Sequence, residues 1–383
     1  MTIITTPLSS IEEFRRFTDG IEMRPGYKRP EAFAFGIARF SRHRAATLMD
    51  VFYPQPNKEE HHGTCAVLAA AADYLNGNHS IVLGSRESRS ILNAFAPFQR
   101  EPGHVNINAL HALPKQLFST GVEGSSCRLV ATFIEDLSKP PETVADVYLR
   151  LHLLSHRKVK PNTVNLEGIF TILPNIAWTS HGPMLPEEAS EKRIGSWGDD
   201  DSFFVRSLDK IPYMLDYVTP TNVRVEAAHC ARLGAYLGSG AIIMPSGFVN
   251  YNAGTDENCV IEGRVSQGVH VGDNSDLGGG ASSMGTLSGG GKERIHIGNH
   301  CLIGANAGTG ISLGNGCTVE SGLYVTAAMK LWDCRNGERR EVKARDVSGQ
   351  DAMLFIRNGL TGAVEIHVNK KPNKPNPVLH KNN

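Results

Sequence analysis

From Val223 onward the sequence repeats every six residues, and that period excludes most ways of folding a chain. Cut in sixes it reads VRVEAA, HCARLG, AYLGSG, AIIMPS, GFVNYN, with Val225, Ala231, Leu237, Ile243 and Val249 in the third column. Eight residues follow (AGTDENCV) and the sixes resume at Ile261: IEGRVS, QGVHVG, DNSDLG, GGASSM. Ten residues follow (GTLSGGGKER) and they resume at Ile295, with Ile295, Cys301, Ala307, Leu313, Val319 and Val325 in the first column. A period of six fits neither a helix nor a long strand. It fits a short strand and a sharp corner, repeated. Three such units close a triangular lap, and stacked laps make a parallel β-solenoid. Gly and Asn suit the corners because they accept backbone angles that other residues resist. A flexible Gly-rich linker would not carry these columns of Val and Ile.

The residues before Pro220 read as mixed α/β. Ile11 to Phe17 starts a helix capped by Ser9 or Ser10. Ala32 to Arg42 alternates as a strand, and Ser80 to Leu83 and Arg128 to Phe133 read as two more. Thr64 to Leu75 reads as an Ala-rich helix capped by Thr64 and stopped at Asn76-Gly77. Glu142 to Arg157 has apolar residues at helical spacing, and Phe203 to Val218 reads as a helix broken near Pro212. Beyond Leu331 the period is lost. Asn336-Gly337 signals a hairpin, MLFIRN and AVEIHV read as strands, and a Pro- and Lys-rich tail is expected to be mobile. The expected organisation is an α/β domain over 1–218, a solenoid over 219–330, and a C-terminal β segment with its tail over 331–383.

Balanced charge, 39 basic against 39 acidic residues, argues against an electrostatic nucleic-acid footprint. No apolar run approaches the roughly 18 residues of a membrane span, and the first residues lack a secretion signal. Seven widely spaced cysteines without a Cys-x-x-Cys pattern read as reduced thiols in a cytoplasmic protein. His61-His62 reads as a solvated loop. His152 and His156 sit at i, i+4, a spacing that suits zinc, but no third ligand is evident.

Flat solenoid faces can pack around a threefold axis and leave grooves between copies. The stretches 253–260 and 285–294 are expected to overhang such a groove as loops. Glu262 follows the first, Arg264 shares its side by alternation, and Gly278, Gly279 and Gly280 admit close approach of a ligand. Glu262 is either a structural partner of Arg264 or Arg294, a general base, or a nucleophile that forms a mixed anhydride.

The motifs GFVNYNAGT, IEGRVSQGVHVGDNSDLGGGASSMGTLSGGG and IGNHCLIGANAGTGISLGNGCTVESGLYVTAAMK resemble the tetrahydrodipicolinate N-succinyltransferases. The likeness is to the longer branch, found in actinobacteria and pseudomonads. It spans roughly Val147 to Glu365 and is weaker over the first hundred and forty residues. The resemblance implies a left-handed parallel β-helix in a cytoplasmic homotrimer with active sites between subunits. It implies succinyl transfer from succinyl-CoA to the amine of hydrated tetrahydrodipicolinate, on the route to meso-diaminopimelate and lysine. No permanently bound cofactor is implied. By motif, Glu262 matches the catalytic glutamate and Arg264 the arginine at the succinyl donor. Gly279, Ser282, Ala305, Glu320 and Ser321 match donor-pocket positions. Lys343, Arg357 and Asn358 match residues for the CoA phosphates and adenosine end.

The chain departs from the pattern in three places. The branch reads MHEGFVNFN where this chain has MPSGFVNYN, with Pro245 and Ser246. The family Glu lost there is linked with a metal on the threefold axis, and an Asp expected in the first coils is His229. These changes count against magnesium, and no metal ligand is assigned. Ile356 replaces an arginine, so slightly weaker CoA affinity is expected. Three other readings stand beside this one. The first is an acyl-CoA transferase for a sugar or amino acid, with His270, His296 or His300 at the groove. The others are a zinc hydratase and a purely structural solenoid.

Overall fold

The computed structural model describes residues 2–44, 47–98, 103–113, 127–198, 202–289 and 292–380. These form two compact units, one of residues 1–153 with 163–212 and one of 154–162 with 213–383.

In the first unit, Ala32–Phe40 pairs antiparallel with Leu48–Phe52, Asn57–Lys58 and Cys127–Ile134, and His79–Leu83 pairs with Cys127–Ile134. Alternation puts Phe33 and Phe35, with Leu129, Ala131 and Phe133, in one core with the buried face of helix Ile11–Glu22 and the Ala-rich helix His62–Ala72. Ser10 caps the first helix by accepting the Glu13 N–H. The second starts earlier than Thr64: His61, in the left-handed region, is its N-cap, and it stops at Asp73. Tyr53, fully buried, hydrogen-bonds Thr132 and the Ala145 carbonyl of helix Val144–Ser155. His152 in that helix is structural. Its Nδ1 meets the Tyr148 carbonyl at 2.8 Å and its Nε2 accepts the Tyr53 N–H at 3.3 Å. The helix expected over 203–218 is instead the strand Val205–Asp209, paired with Ile176–Thr179, then a short turn of 3-10 helix at Met214–Asp216. Long-range pairing overrides the local apolar spacing there.

The second unit is the solenoid, with three parallel sheets as its faces. The first face stacks Arg224–Val225, Ile242–Ile243, Val260–Ile261, Asp276–Leu277, Leu302–Ile303 and Thr318–Val319. The second stacks Phe248–Val249, Arg264–Val265, Ser282–Ser283, Gly308–Thr309 and Tyr324–Val325. The third stacks Tyr236–Leu237, Gly254–Thr255, His270–Val271 and His296–Ile297. Asn252, Asn258, Asn274 and Asn306 occupy corners in the left-handed backbone region.

Two corners correct the expected register. Residues 253–260 are no loop, because Gly254–Thr255 pairs with Tyr236–Leu237 and His270–Val271. What breaks the sixes is a short corner, Glu262-Gly263, between Val260–Ile261 and Arg264–Val265. Similarly, Leu313 bridges Ile297 on the third face. The column 295–325 therefore merges two inward rows, and all six of its residues are buried. The ten-residue stretch does leave the coil and returns through the Thr286–Arg294 bridge and the Ser288 N–H to Gly310 carbonyl bond.

The far end is closed by Met353–Arg357, which continues the first face beside Thr318–Val319 and buries Phe355. Val364–Val368, Lys330–Asp333 and Arg340–Lys343 extend that sheet, the last two as the expected hairpin. The tail runs back along the coils. Asn373 bonds the His300 and Asn274 carbonyls, and His380 meets the Gly240 carbonyl at 2.9 Å.

Candidate functional site

Strands of the first face end at the corner that leads to the second, so their corner residues stack into one edge. From coil to coil this edge carries Ser246, Glu262, Gly279, Ala305 and then Glu320-Ser321. The backbone ladder fixes the order: the Glu262 N–H donates to the Leu277 carbonyl, that of Gly278 to Ile303, that of Gly304 to Val319 and that of Glu320 to Phe355. Six residues singled out from sequence, with Arg357 at the end of the next strand, thus share one edge.

The Glu262 backbone is firmly held. Its carbonyl accepts the Gly280 N–H at 3.1 Å and the Ser246 hydroxyl at 3.0 Å. Its half-buried carboxylate makes no ion pair among the described residues. Neither ion pair of the structural alternative is formed among the described residues. Arg264 is exposed and donates to the Ser282 hydroxyl at 2.6 Å, and Arg294 donates to Gln267. Glu262 Oε2 lies 3.5 Å from where a Cβ on Gly279 would stand, so the carboxylate borders bare backbone of the next coil. Asp276, behind the edge, is pushed above the usual carboxylate range, chiefly by burial, and the charge of Glu262 adds to the rise.

Arg264 and Ser282 sit side by side on adjacent rungs of the second face, next to this edge. Ala305 and Ser321 are exposed on it. The Glu320 carboxylate is spoken for, accepting the Arg357 N–H at 2.7 Å. Asn358 is likewise engaged. Its carbonyl oxygen accepts the Leu360 and Thr361 N–H groups and its amide donates to Glu365. Both shape the turn after Arg357. The Arg357 strand is four rungs beyond that of Glu262, about 19 Å at the usual strand spacing. Lys343 lies three strands further, at the same end of the sheet because it pairs with Lys330. Arg357 and Lys343 are exposed and in no ion pair among the described residues. The edge thus runs from an unpaired carboxylate, past Gly and Ala, to two unpaired cations.

His229 and Ser246 occupy this edge in the first two coils, both exposed. An imidazole and a hydroxyl that already donates to Glu262 bring no carboxylate, the protein ligand through which magnesium is usually held.

Sequence reasoning missed a cluster on the third face, opposite the edge. Lys160, from the segment leading into the coils, pairs with Asp256 and lies 4.9 Å from the Tyr236 ring centroid. His270 Nε2 is 3.2 Å from Asp256 and its ring stacks on His296 at 5.5 Å. Burial raises Asp256, but the close contacts with His270 and Lys160 outweigh it and bring the carboxyl down to about 2. A depressed carboxyl stabilises the fold fully above its unfolded value near 3.8, and that support is lost as pH falls from about 4 to 2. Asp256→Asn is therefore expected to cost about 2 kcal/mol in urea unfolding at pH 5, with the gap to wild type closing towards pH 2. A gap independent of pH would rule out the linkage. His300 belongs to a corner, where Nδ1 meets the Asn373 carbonyl. Within one copy, His270 and His296 lie on the third face and His300 at the corner before the first, none of them on the edge that carries Glu262.

Comparison with known proteins bears on both units. Residues 12–171 match the family model for the tetrahydrodipicolinate N-succinyltransferase N-terminal region, and 294–327 match the hexapeptide repeat of succinyl-transferases. The first hundred and forty residues, weak in motifs, thus carry a family signal of their own. The chain is 41% identical over 92% of its length to a 2,3,4,5-tetrahydropyridine-2,6-dicarboxylate N-succinyltransferase of Vibrio cholerae, covering 99% of that protein. It is 44% identical to the protein of the same name from Pseudomonas aeruginosa, covering 92% of this chain and 98% of the other. A Campylobacter jejuni crystal structure described as a 2,3,4,5-tetrahydropyridine-2-carboxylate N-succinyltransferase superposes with a TM-score of 0.87 at 30% identity. It covers 95% of this chain and 99% of that one. The repeat match and this neighbour give the coil its class, the left-handed β-helix.

Proposed function

Because this chain belongs to the tetrahydrodipicolinate N-succinyltransferase family, we propose that its first-to-second-face edge is the transfer site, with Glu262 as the reacting carboxylate. The reaction is succinyl transfer to the amine of hydrated, ring-opened tetrahydrodipicolinate, a step of lysine and diaminopimelate biosynthesis. Succinyl-CoA is the donor. Its thin pantetheine arm lies along Gly279 and Ala305, its phosphates meet Arg357 and Lys343, and its acyl group lies between Glu262 and the Arg264–Ser282 pair.

The observation that carries this reading is the Glu262 carboxylate. Among the described residues it has no ion-pair partner, it borders bare backbone, and it heads an edge that ends in two cations without ion pairs among those residues. Transfer breaks the thioester C–S bond and forms an amide C–N bond. The amine loses a proton and the departing thiolate gains one. Glu262 serves either as the base that carries this proton or as the nucleophile that first takes the acyl group as an anhydride.

An edge open to solvent on one side is half of a slot. A second copy laid against it completes the site, so the working form is a homotrimer with three inter-subunit sites. The enzyme acts in the cytoplasm, and no described helix is long and apolar enough to cross a membrane. No step runs through magnesium, since His229 and Ser246 do not suit it.

The test is thiol release from succinyl-CoA, followed with tetrahydrodipicolinate or its stable analogue 2-aminopimelate as acceptor. Acceptor-dependent release is expected. Silence with both acceptors, in a folded trimer, would overturn the reading.

A further inference from the structure

Cys334 follows the strand Lys330–Asp333, and its N–H donates to the Ile366 carbonyl at 2.9 Å. The parallel register sets Trp332 opposite Glu365 and Asp333 opposite Ile366, which brings Cys334 beside His367. Alternation then places Cys334, Glu365 and His367 on the same sheet face. Their donor atoms all lie within 4.8 Å of one another, and all three residues are half-buried. Among the described residues no other set of three or more such side chains is gathered in this way.

The carboxylate is already oriented. Its Oε1 accepts from Arg339 at 3.3 Å and from Asn358 at 3.2 Å, while Oε2 faces His367 Nε2 at 2.9 Å. Arg339 is itself fixed over the Trp332 ring, 4.5 Å from its centroid. Ligating carboxylates are commonly held by such outer hydrogen bonds.

We propose that Cys334 Sγ, Glu365 Oε2 and His367 Nε2 form a binding site for a zinc-class divalent ion, with a fourth position left to water or an external ligand. One sulfur, one nitrogen and one oxygen make a donor set that suits zinc and discriminates against magnesium and calcium. The ion replaces the hydrogen bond between His367 and Glu365, and the Cys334 proton leaves to solvent. Because the thiolate is the ligating form, binding releases a proton and the affinity rises with pH. The proposal does not depend on the reaction assigned to Glu262.

Cobalt reports all three ligand types. The untagged, metal-free full-length chain is titrated with Co2+ at pH 7.5, following the thiolate-to-cobalt charge-transfer band and the visible bands of tetrahedral cobalt. One ion per chain is expected, displaced by Zn2+. Cys334→Ser should abolish the charge-transfer band, Cys127→Ser should keep it, and His367→Ala or Glu365→Gln should weaken binding at least about tenfold. Absence of the band in the wild type, or its persistence in Cys334→Ser, overturns the site. Should Cys334→Ser fail to fold by circular dichroism, His367→Ala decides: unchanged affinity for Co2+ overturns the site.

Discussion

Glu262→Gln is expected to lower kcat for succinyl transfer by about 10²–10⁴-fold, the range of a lost acid–base group, while leaving the melting temperature within about 2 °C of wild type. The separation of the two effects follows from where Glu262 is held. Its main chain does the structural work, through the Leu277 carbonyl, the Gly280 N–H and the Ser246 hydroxyl, and an amide keeps all three bonds. Its carboxylate makes no hydrogen bond or ion pair among the described residues, so the substitution removes a charge and a basic oxygen with little change in shape. Steady-state thiol release with calorimetry on the same sample checks both halves. His270→Ala is the control, since that ring sits on the third face against Asp256 and His296. Turnover should survive it. The opposite pattern, with His270 essential and Glu262 dispensable, would move the chemistry to the third face and favour the histidine-dependent transferases.

The solenoid was legible because its period is imposed by inward rows, and Val225, Leu237, Ile243 and Val249 are visible as apolar in any alignment of sixes. Its phase was harder to read. Gly254–Thr255 is a strand with no large apolar residue, so its lap looked like an interruption. The real change, a corner two residues short at Glu262-Gly263, leaves no mark in composition. The strand Val205–Asp209 reads locally as helix because its partner, Ile176–Thr179, lies some thirty residues upstream and no local pattern announces it. The edge residues were legible as motifs, but what their side chains do was not. Glu320 and Asn358 spend their polar atoms on the turn at Arg357, a use decided by the antiparallel return of Val364–Val368. Lys160 reaches Asp256 across 96 positions of sequence, and nothing near either residue points to the other.

Gly279→Val is expected to cut kcat/KM by at least about 10²-fold, the scale of an ångström-sized misplacement at a reacting centre, and yet to fold normally. The three consecutive glycines look equivalent in sequence and are not. A Cβ on Gly278 would stand 2.9 Å from the Ala305 nitrogen, which is backbone and has nowhere to go. Gly280 has φ +71° and faces the Asn306 side chain at 2.5 Å. Gly279 alone of the three combines an ordinary φ with room for a Cβ, whose one close neighbour among the described residues is Glu262 Oε2 at 3.5 Å. A Cβ there meets no backbone within 4 Å among the described residues. A Val adds bulk beside the Glu262 carboxylate, in the space that the proposed donor path assigns to the thioester. Gly278→Ala should therefore destabilise the coil by an overpacking cost of about 1–3 kcal/mol, whereas Gly279→Val should unfold at the wild-type urea midpoint and fail in thiol release. If Gly279→Val turns over normally, the donor does not pass along this edge. If it fails to fold, the bare backbone beside Glu262 is there for packing rather than for the substrate.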